Sequence, residues 1–331
     1  MATDIHTGEQ TVHVERKRPE SPGIAKANAA ATRLERRLAL LMILTPLVSL
    51  IVAIALLWEQ AIGVTELALM LGMYSLGMFG ITIGYHRLAS HRAFQTYKPI
   101  RVLFAILGSM AGQGPVLYWA AIHRRHHQFS DHPGDPHSPN MHGEGAWGMV
   151  KGFWHGHTGW MFVHEITDWG RWIPDLLRDR ALFRVNQLYF LWMLLGLAIP
   201  TAIGGLVSGS WWGALLGLLW GGLVRLFLLH QCTWAINSVT HLWGTRPYKS
   251  RDYSRNNALV AVVTFGEGWH NNHHAFPSSA LHGLEWWQFD PSGMVIRLLR
   301  LSGLAWDLKR PSPDALREAV RVAGQEAISK E

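Results

Sequence analysis

Eight histidines fall in three tight groups: His86-Arg-Leu-Ala-Ser-His91, His123-Arg-Arg-His126-His127 and His270-Asn-Asn-His273-His274. In a helix, residues i, i+3 and i+4 lie toward one face, so each HxxHH group is expected to aim three imidazoles at one point. Neutral imidazole is a strong ligand for iron, copper, nickel and zinc. A fourth piece, Asn237-Ser-Val-Thr-His241, offers His241 as a ninth ligand and Asn237, one turn earlier, as a holder of metal-bound water. One metal takes about four to six ligands, so nine imidazoles imply two metals. No carboxylate interrupts any group, unlike the carboxylate-bridged di-iron bundles of soluble proteins. Zinc for hydrolysis and iron for redox chemistry both suit imidazole. A hydrolase would want an evident nucleophile or base, and none accompanies the groups. Redox iron fits an apolar substrate with no bond to hydrolyse. A lone histidine, such as His6 or His13, is ordinarily a surface residue.

The elements that must carry these groups are apolar. Of the 331 residues, 49% are apolar and 16% charged, against about 25% charged in a soluble domain. Seventeen tryptophans suit a membrane interface, where the ring is apolar and its N–H stays wet. Four stretches match the roughly 20 apolar residues that cross a bilayer: Leu38 to Trp58, Val64 to Tyr85, Leu188 to Val207 and Trp211 to Gln231. Short turns without Lys or Arg join them in pairs, while seven basic residues precede Leu38 and most others lie between the pairs or after the last span. The positive-inside rule then puts both termini and the central segment in the cytoplasm, with all the histidine groups on that side. The net charge of +7 is thereby a topology signal, and without a recognisable module it does not point to nucleic acid. A single cysteine, Cys232, excludes an internal disulfide framework, a thiolate zinc site and a self-contained iron–sulfur cluster.

A fifth stretch, Val102 to Ala121, is nearly long enough to span, but Gly108, Gly112, Gln113, Gly114 and Pro115 weaken a helix there. An extra crossing would also separate the histidine groups, so this stretch is expected at the interface or buried. Residues 1–37 are expected to form a cytoplasmic arm, disordered over 1–32, which lack apolar periodicity. Residues 38–331 then form one all-α integral membrane domain: four transmembrane helices in two hairpins under a cytosolic helical cap that holds a di-metal site.

Gly84-Tyr85-His86-Arg87-Leu88, His123-Arg-Arg-His-His-Gln-Phe-Ser130, Asp135-Pro-His137, Gly-His-Thr-Gly-Trp at 156–160, Asn237 to His241 and Gly266-Glu-Gly-Trp-His-Asn-Asn-His-His-Ala-Phe-Pro277 together resemble the membrane fatty acid desaturases, specifically their Δ9, stearoyl-CoA desaturase-like branch. The match runs from about Gly84 to Pro277. The resemblance implies a mushroom-shaped fold, two irons held by the nine histidines, and a bent, closed tunnel for the alkyl chain. Gln113, Trp119, Thr233 and Trp234 match tunnel-lining positions near its bend. The implied reaction uses O2 and two electrons to place a cis double bond in a long saturated acyl chain. All methylenes are chemically alike, so selection must be geometric, by distance from the head group. No dinucleotide-binding glycine pattern is evident, and His132-Pro-Gly-Asp135 only faintly echoes a haem-binding loop. Electrons must come from an external protein such as a ferredoxin, a cytochrome b5 or a flavin/iron–sulfur reductase.

One departure concerns the carrier. Animal acyl-CoA desaturases hold the CoA head group with an Arg-Asp pair before the second group and an Arg-Lys pair after the Gly-Trp motif. Here those positions read Ala121-Ile122 and His164-Glu165. An anionic head group would lose its cationic partners, unless Arg246, Lys249 or Arg251 substitutes. This raises membrane lipid or acyl carrier protein as the carrier. A membrane lipid hydroxylase shares the same histidine pattern. A metal transporter would want ligands inside the spans, and only His230 lies there.

Overall fold

The computed structural model describes residues 23–59, 62–163 and 165–328. Four of its helices are long and apolar enough to cross a membrane: Ala29–Leu56, Val64–Ser90, Tyr189–Ser208 and Trp211–Leu242. Half of the second and fourth windows is buried within the protein, against 22% and 17% of the first and third, so the second and fourth form the inner pair. Leu41, Ile51, Leu194 and Leu206 stay exposed on the outer pair. Apolar surface on that scale calls for a lipid cover.

Three boundaries differ from the sequence expectation. The first helix begins at Ala29 rather than Leu38, because Asn28 caps it: the Ala30 and Ala31 amides donate to Asn28 Oδ1 at 3.1 and 2.9 Å. Just before it, the strand Ile24–Lys26 pairs antiparallel with Glu165–Thr167. The expected arm is therefore regular from Ile24 to Lys26 and again from Ala29, while residues 1–22, with His6 and His13, lie outside the described residues. The second helix runs past Tyr85 as a wider-wound, π-helical continuation, Gly80–Ser90. The fourth runs past Gln231 to Leu242. Hydropathy marks where the bilayer ends, but a helix does not stop there. His86 and His241 thus sit on the span helices themselves.

The fifth apolar stretch does not cross. It breaks into the helices Lys98–Met110 and Val116–Phe129. Between them Gly112 and Gly114 take φ of 70° and 92°, a region open to glycine at no steric cost. Four backbone groups at this break find side-chain partners, as irregular backbone at membrane depth calls for. Arg225 donates to Met110 O at 2.8 Å and His230 Nε2 to Ala111 O at 3.0 Å. The Gly114 amide donates to the Tyr189 hydroxyl at 3.0 Å, and Tyr85 Oη donates to Gly114 O at 3.2 Å. The 98–110 helix lies hard against the second span: a Cβ on Gly80 would stand 2.1 Å from Gly108 N. His230, the one histidine expected inside a span, is thereby a backbone anchor.

The cap consists of the short helices after each hairpin. A second small sheet, Gln95–Thr96 with Ala305–Trp306, ties its C-terminal part to the segment after the second span.

Candidate metal centre

The nine histidines converge at the end of the bundle where the second and fourth helices finish. They form two sets. His86, His91, His123, His127 and His273 each offer a ring nitrogen within 4.8 Å of the others, and so do His126, His241, His270 and His274. The sets abut, with the His127 and His274 rings stacked at 4.5 Å.

The expectation that each HxxHH group aims at one point is wrong. His123 and His127 serve one set and His126 the other; His270 and His274 serve the second set and His273 the first. The reason is helical geometry. At about 100° per residue, i and i+4 nearly eclipse, whereas i+3 points roughly 100° away from i+4. Each group therefore straddles both centres. His86 and His91 are five apart and share a set. An α-helix would splay them, but here the His91 amide donates to His86 O at 3.1 Å, the i→i+5 bond of a π-turn.

Imidazole Nε2 atoms face one another across the first set: His91 and His123 at 2.7 Å, His127 and His273 at 2.9 Å, His86 and His273 at 3.0 Å. In the second set His241 and His270 stand 3.0 Å apart. Two cis ligands on a metal at about 2.1 Å are separated by roughly 3 Å, so these spacings fit a bound cation. The neighbours of the Nδ1 atoms agree. His126 Nδ1 lies 2.9 Å from Asp135, His241 Nδ1 2.8 Å from Asp131 and His274 Nδ1 2.5 Å from Asp252; His86 Nδ1 contacts Glu267. A carboxylate beside Nδ1 keeps the proton there and leaves the Nε2 lone pair pointing inward. His274 Nε2 is buried with no protein partner, an acceptor that a metal would satisfy.

Electrostatics favour neutral rings at most of these positions. Burial, reinforced by neighbouring imidazoles, holds His91, His123, His127, His270 and His273 well below the ordinary histidine range. Burial works to raise the Asp135 carboxyl, but the His126 ring outweighs it and brings it down to about 2. Asp131 and Asp252 are likewise held low against burial, by His241 and His274 respectively. Burial pushes Glu267 up to about 8, against the pull of Arg87.

The carboxylates beside the ligand rings, with His137 and His282 near them, were given no role in the sequence reading. They were visible in part: Asp131 and Asp135 follow the second group closely and Glu267 precedes the third, where a carboxylate–imidazole contact is to be expected. Asn271 and Asn272 are also more than spacers. Asn271 clamps the backbone of Tyr248 at 2.9 and 3.0 Å, and Asn272 donates to His282 O and Gln288 at 2.9 and 2.8 Å. His132-Pro-Gly-Asp135 is a loop that delivers Asp135 to His126.

The remaining expected residues are distributed around the centre. Trp119 stacks on His123 at 4.8 Å. Gln113 donates to the Thr233 hydroxyl. Trp234 is stacked on His230 at 5.1 Å. Asn237 is half-buried one turn before His241, and its amide has no side-chain partner among the described residues. At the altered head-group positions, Ala121 is fully buried and Glu165 pairs with Arg125; His164 lies outside the described residues. Arg124 is also engaged, forked onto Asp175 at 2.6 and 2.9 Å.

Residues 65–292 match the fatty acid desaturase family model. The chain is 49% identical over 280 residues to a hex-5-enoyl-(acyl-carrier protein) acetylenase of Moorena producens, covering 84% of this chain and 87% of that protein. It is 43% identical over 243 residues to an sn-1 stearoyl-lipid 9-desaturase of Synechocystis, covering 72% and 70%. With acyl-CoA desaturase 1 of Saccharomyces cerevisiae it shares 37% over 260 residues, 78% of this chain and 48% of the yeast protein. With four apolar spans and two imidazole sets that can hold metal, the chain is an integral membrane oxidoreductase and belongs to the fatty acid desaturase family.

Proposed function

We propose that the chain is a di-iron acyl desaturase that forms a cis double bond, at Δ9, in a saturated long-chain acyl group. The single observation that carries this reading is the pair of adjacent imidazole sets. His86, His91, His123, His127 and His273 would hold one iron, and His126, His241, His270 and His274 the other, with a water on Asn237 completing the second. When bound, the irons supply the O2-dependent removal of two hydrogens from neighbouring methylenes, a step beyond acid–base catalysis. With two electrons from an external donor protein and two protons, O2 leaves as two waters. The chain's own residues do the rest. The carboxylates Asp131, Asp135, Asp252 and Glu267 orient the ligand rings. Trp119, against His123, and the Gln113–Thr233 pair are the walls expected to fix the bend of the alkyl chain. The active face and both termini are cytoplasmic.

The carrier is a lipid or an acyl carrier protein rather than CoA. Ala121 offers no charge, Glu165 neutralises Arg125, and Arg124 is committed to Asp175. Of the three relatives named above, the two with higher identity are named for carrier-bound and lipid-bound substrates and the third, at 37%, for acyl-CoA. The 49% identity to an acetylenase favours one second reading: action on an already unsaturated carrier-bound chain to give a triple bond. The test supplies purified protein and one reducing system with the stearoyl chain as CoA thioester, carrier-protein thioester and phospholipid, and a hexenoyl carrier-protein thioester besides. Gas chromatography locates the new unsaturation. Turnover of the CoA thioester alone would overturn the carrier assignment, and products bearing hydroxyl groups would overturn desaturation.

A further inference from the structure

Away from the imidazoles, one concave surface carries unpaired charge. A groove of about 380 Å3 opens between the Lys98–Met110 helix, the Arg180–Gln187 helix and the start of the third span. Lys98, Arg180 and Arg184 stand on its rim, and Val102, Ile106 and Trp192 belong to its apolar wall. Arg180 and Arg184 are one turn apart, so their charges share a helix face. The acids of this neighbourhood are already taken: Asp179 by Arg101 at 2.8 Å and Asp175 by Arg124 at 2.6 Å. None of the three rim cations has an acidic partner among the described residues. Val102 and Ile106 follow Lys98 along one helix face, and Trp192 lies in the first turn of the Tyr189–Ser208 span, its indole donating to Val185 O at 3.1 Å. The wall therefore descends from the charged rim along a span.

We propose that this groove holds one anionic phospholipid, its phosphate between the three cations and an acyl chain along the wall. Unrelieved like charges attract an anion, and the volume lies within the roughly 300–1,000 Å3 of small-molecule sites. An acidic protein partner would match the rim but not a wall that descends along a lipid-facing helix; a phospholipid matches both. None of the groove residues belongs to the imidazole sets or their carboxylates, so the assignment depends on no reading of the reaction.

The test uses the full chain, stripped of lipid in detergent and titrated with dioleoylphosphatidylglycerol or dioleoylphosphatidylcholine, with native mass spectrometry counting retained lipid. Phosphatidylglycerol is expected to be retained with at least about tenfold preference. The R180Q/R184Q double variant loses the preference, V102W fills the wall and loses the lipid with all three cations intact, and R317Q, which does not line the groove, keeps it. Thermal unfolding identifies which variants are folded; either of the two groove variants suffices. Equal retention of the two lipids overturns the proposal, as does an unchanged preference in a folded groove variant. So does a double variant that keeps the lipid but no longer binds an acidic acyl carrier protein.

Discussion

Asp131 accepts from His241 and Asp252 from His274 at 2.8 and 2.5 Å, and through these contacts the inward lone pairs are set. Replacing Asp252 with Asn keeps the shape but removes the charge that holds the Nδ1 proton. Metal affinity should fall about 10–100-fold, read by competition with a chelator; an unchanged affinity would show that Asp252 does not orient His274. The partition of ligands predicts the same outcome for two variants that strike different sets. His273→Ala removes a ligand of the five-imidazole set and His126→Ala one of the four-imidazole set. Each should lower metal content toward one ion per chain and abolish turnover while membrane insertion persists. The buried rings also fix the sign of the acid response. Their folded pKa values lie well below the ordinary value, while unfolded histidine titrates near 6.5. Below about pH 6.5 the unfolded chain binds more protons, so stability falls as pH falls. Metal-free protein should therefore show a dropping unfolding temperature on acidification from pH 7 to 5.5, and a flat profile would contradict neutral buried rings.

At the level of elements, the second span does two jobs along its length. Its π-wound end gathers His86 and His91 into one set, and its small residues let the 98–110 helix touch its backbone. Gly80 and Gly72 of this continuous helix make a paired test. A Cβ at Gly80 would stand 2.1 Å from backbone, while at Gly72 it meets nothing within 4 Å. Gly80→Val should cost roughly 1–3 kcal/mol or more, and Gly72→Ala should be neutral or stabilising by up to about 1 kcal/mol. Thermal unfolding in one detergent compares them, and equal effects would mean the close crossing does not hold.

For the molecule as a whole, the bundle brings every candidate ligand to one end. With an even number of crossings, reporters fused at Glu331 and inserted in the Ser208–Ser210 turn should report opposite sides of the membrane, the former cytoplasmic. Reporters on the same side would break both the four-span arrangement and the assigned orientation. The Ala111–Pro115 break matters most here. Held by Arg225, His230, Tyr85 and Tyr189, it turns an apolar stretch back before it can cross, and His86 and His91 stay on the same side as His123.

The sequence alone marked the four spans and the nine imidazoles, and from them an expected count of two metals, because hydropathy and ligand type are properties of single residues and short windows. It also contained the reason the fifth stretch does not cross, in Gly112, Gly114 and Pro115. The partition of ligands was decided only by tertiary structure. Spacing within HxxHH says which side chains neighbour one another on a helix, but i+3 and i+4 diverge by roughly 100°, and which ring meets which partner depends on where four separate helix ends are brought together. The same holds for the carboxylates. Asp252 lies 22 residues from His274, Asp131 110 from His241 and Glu267 181 from His86. No local periodicity links residues so far apart; packing of the cap onto the spans makes each pair.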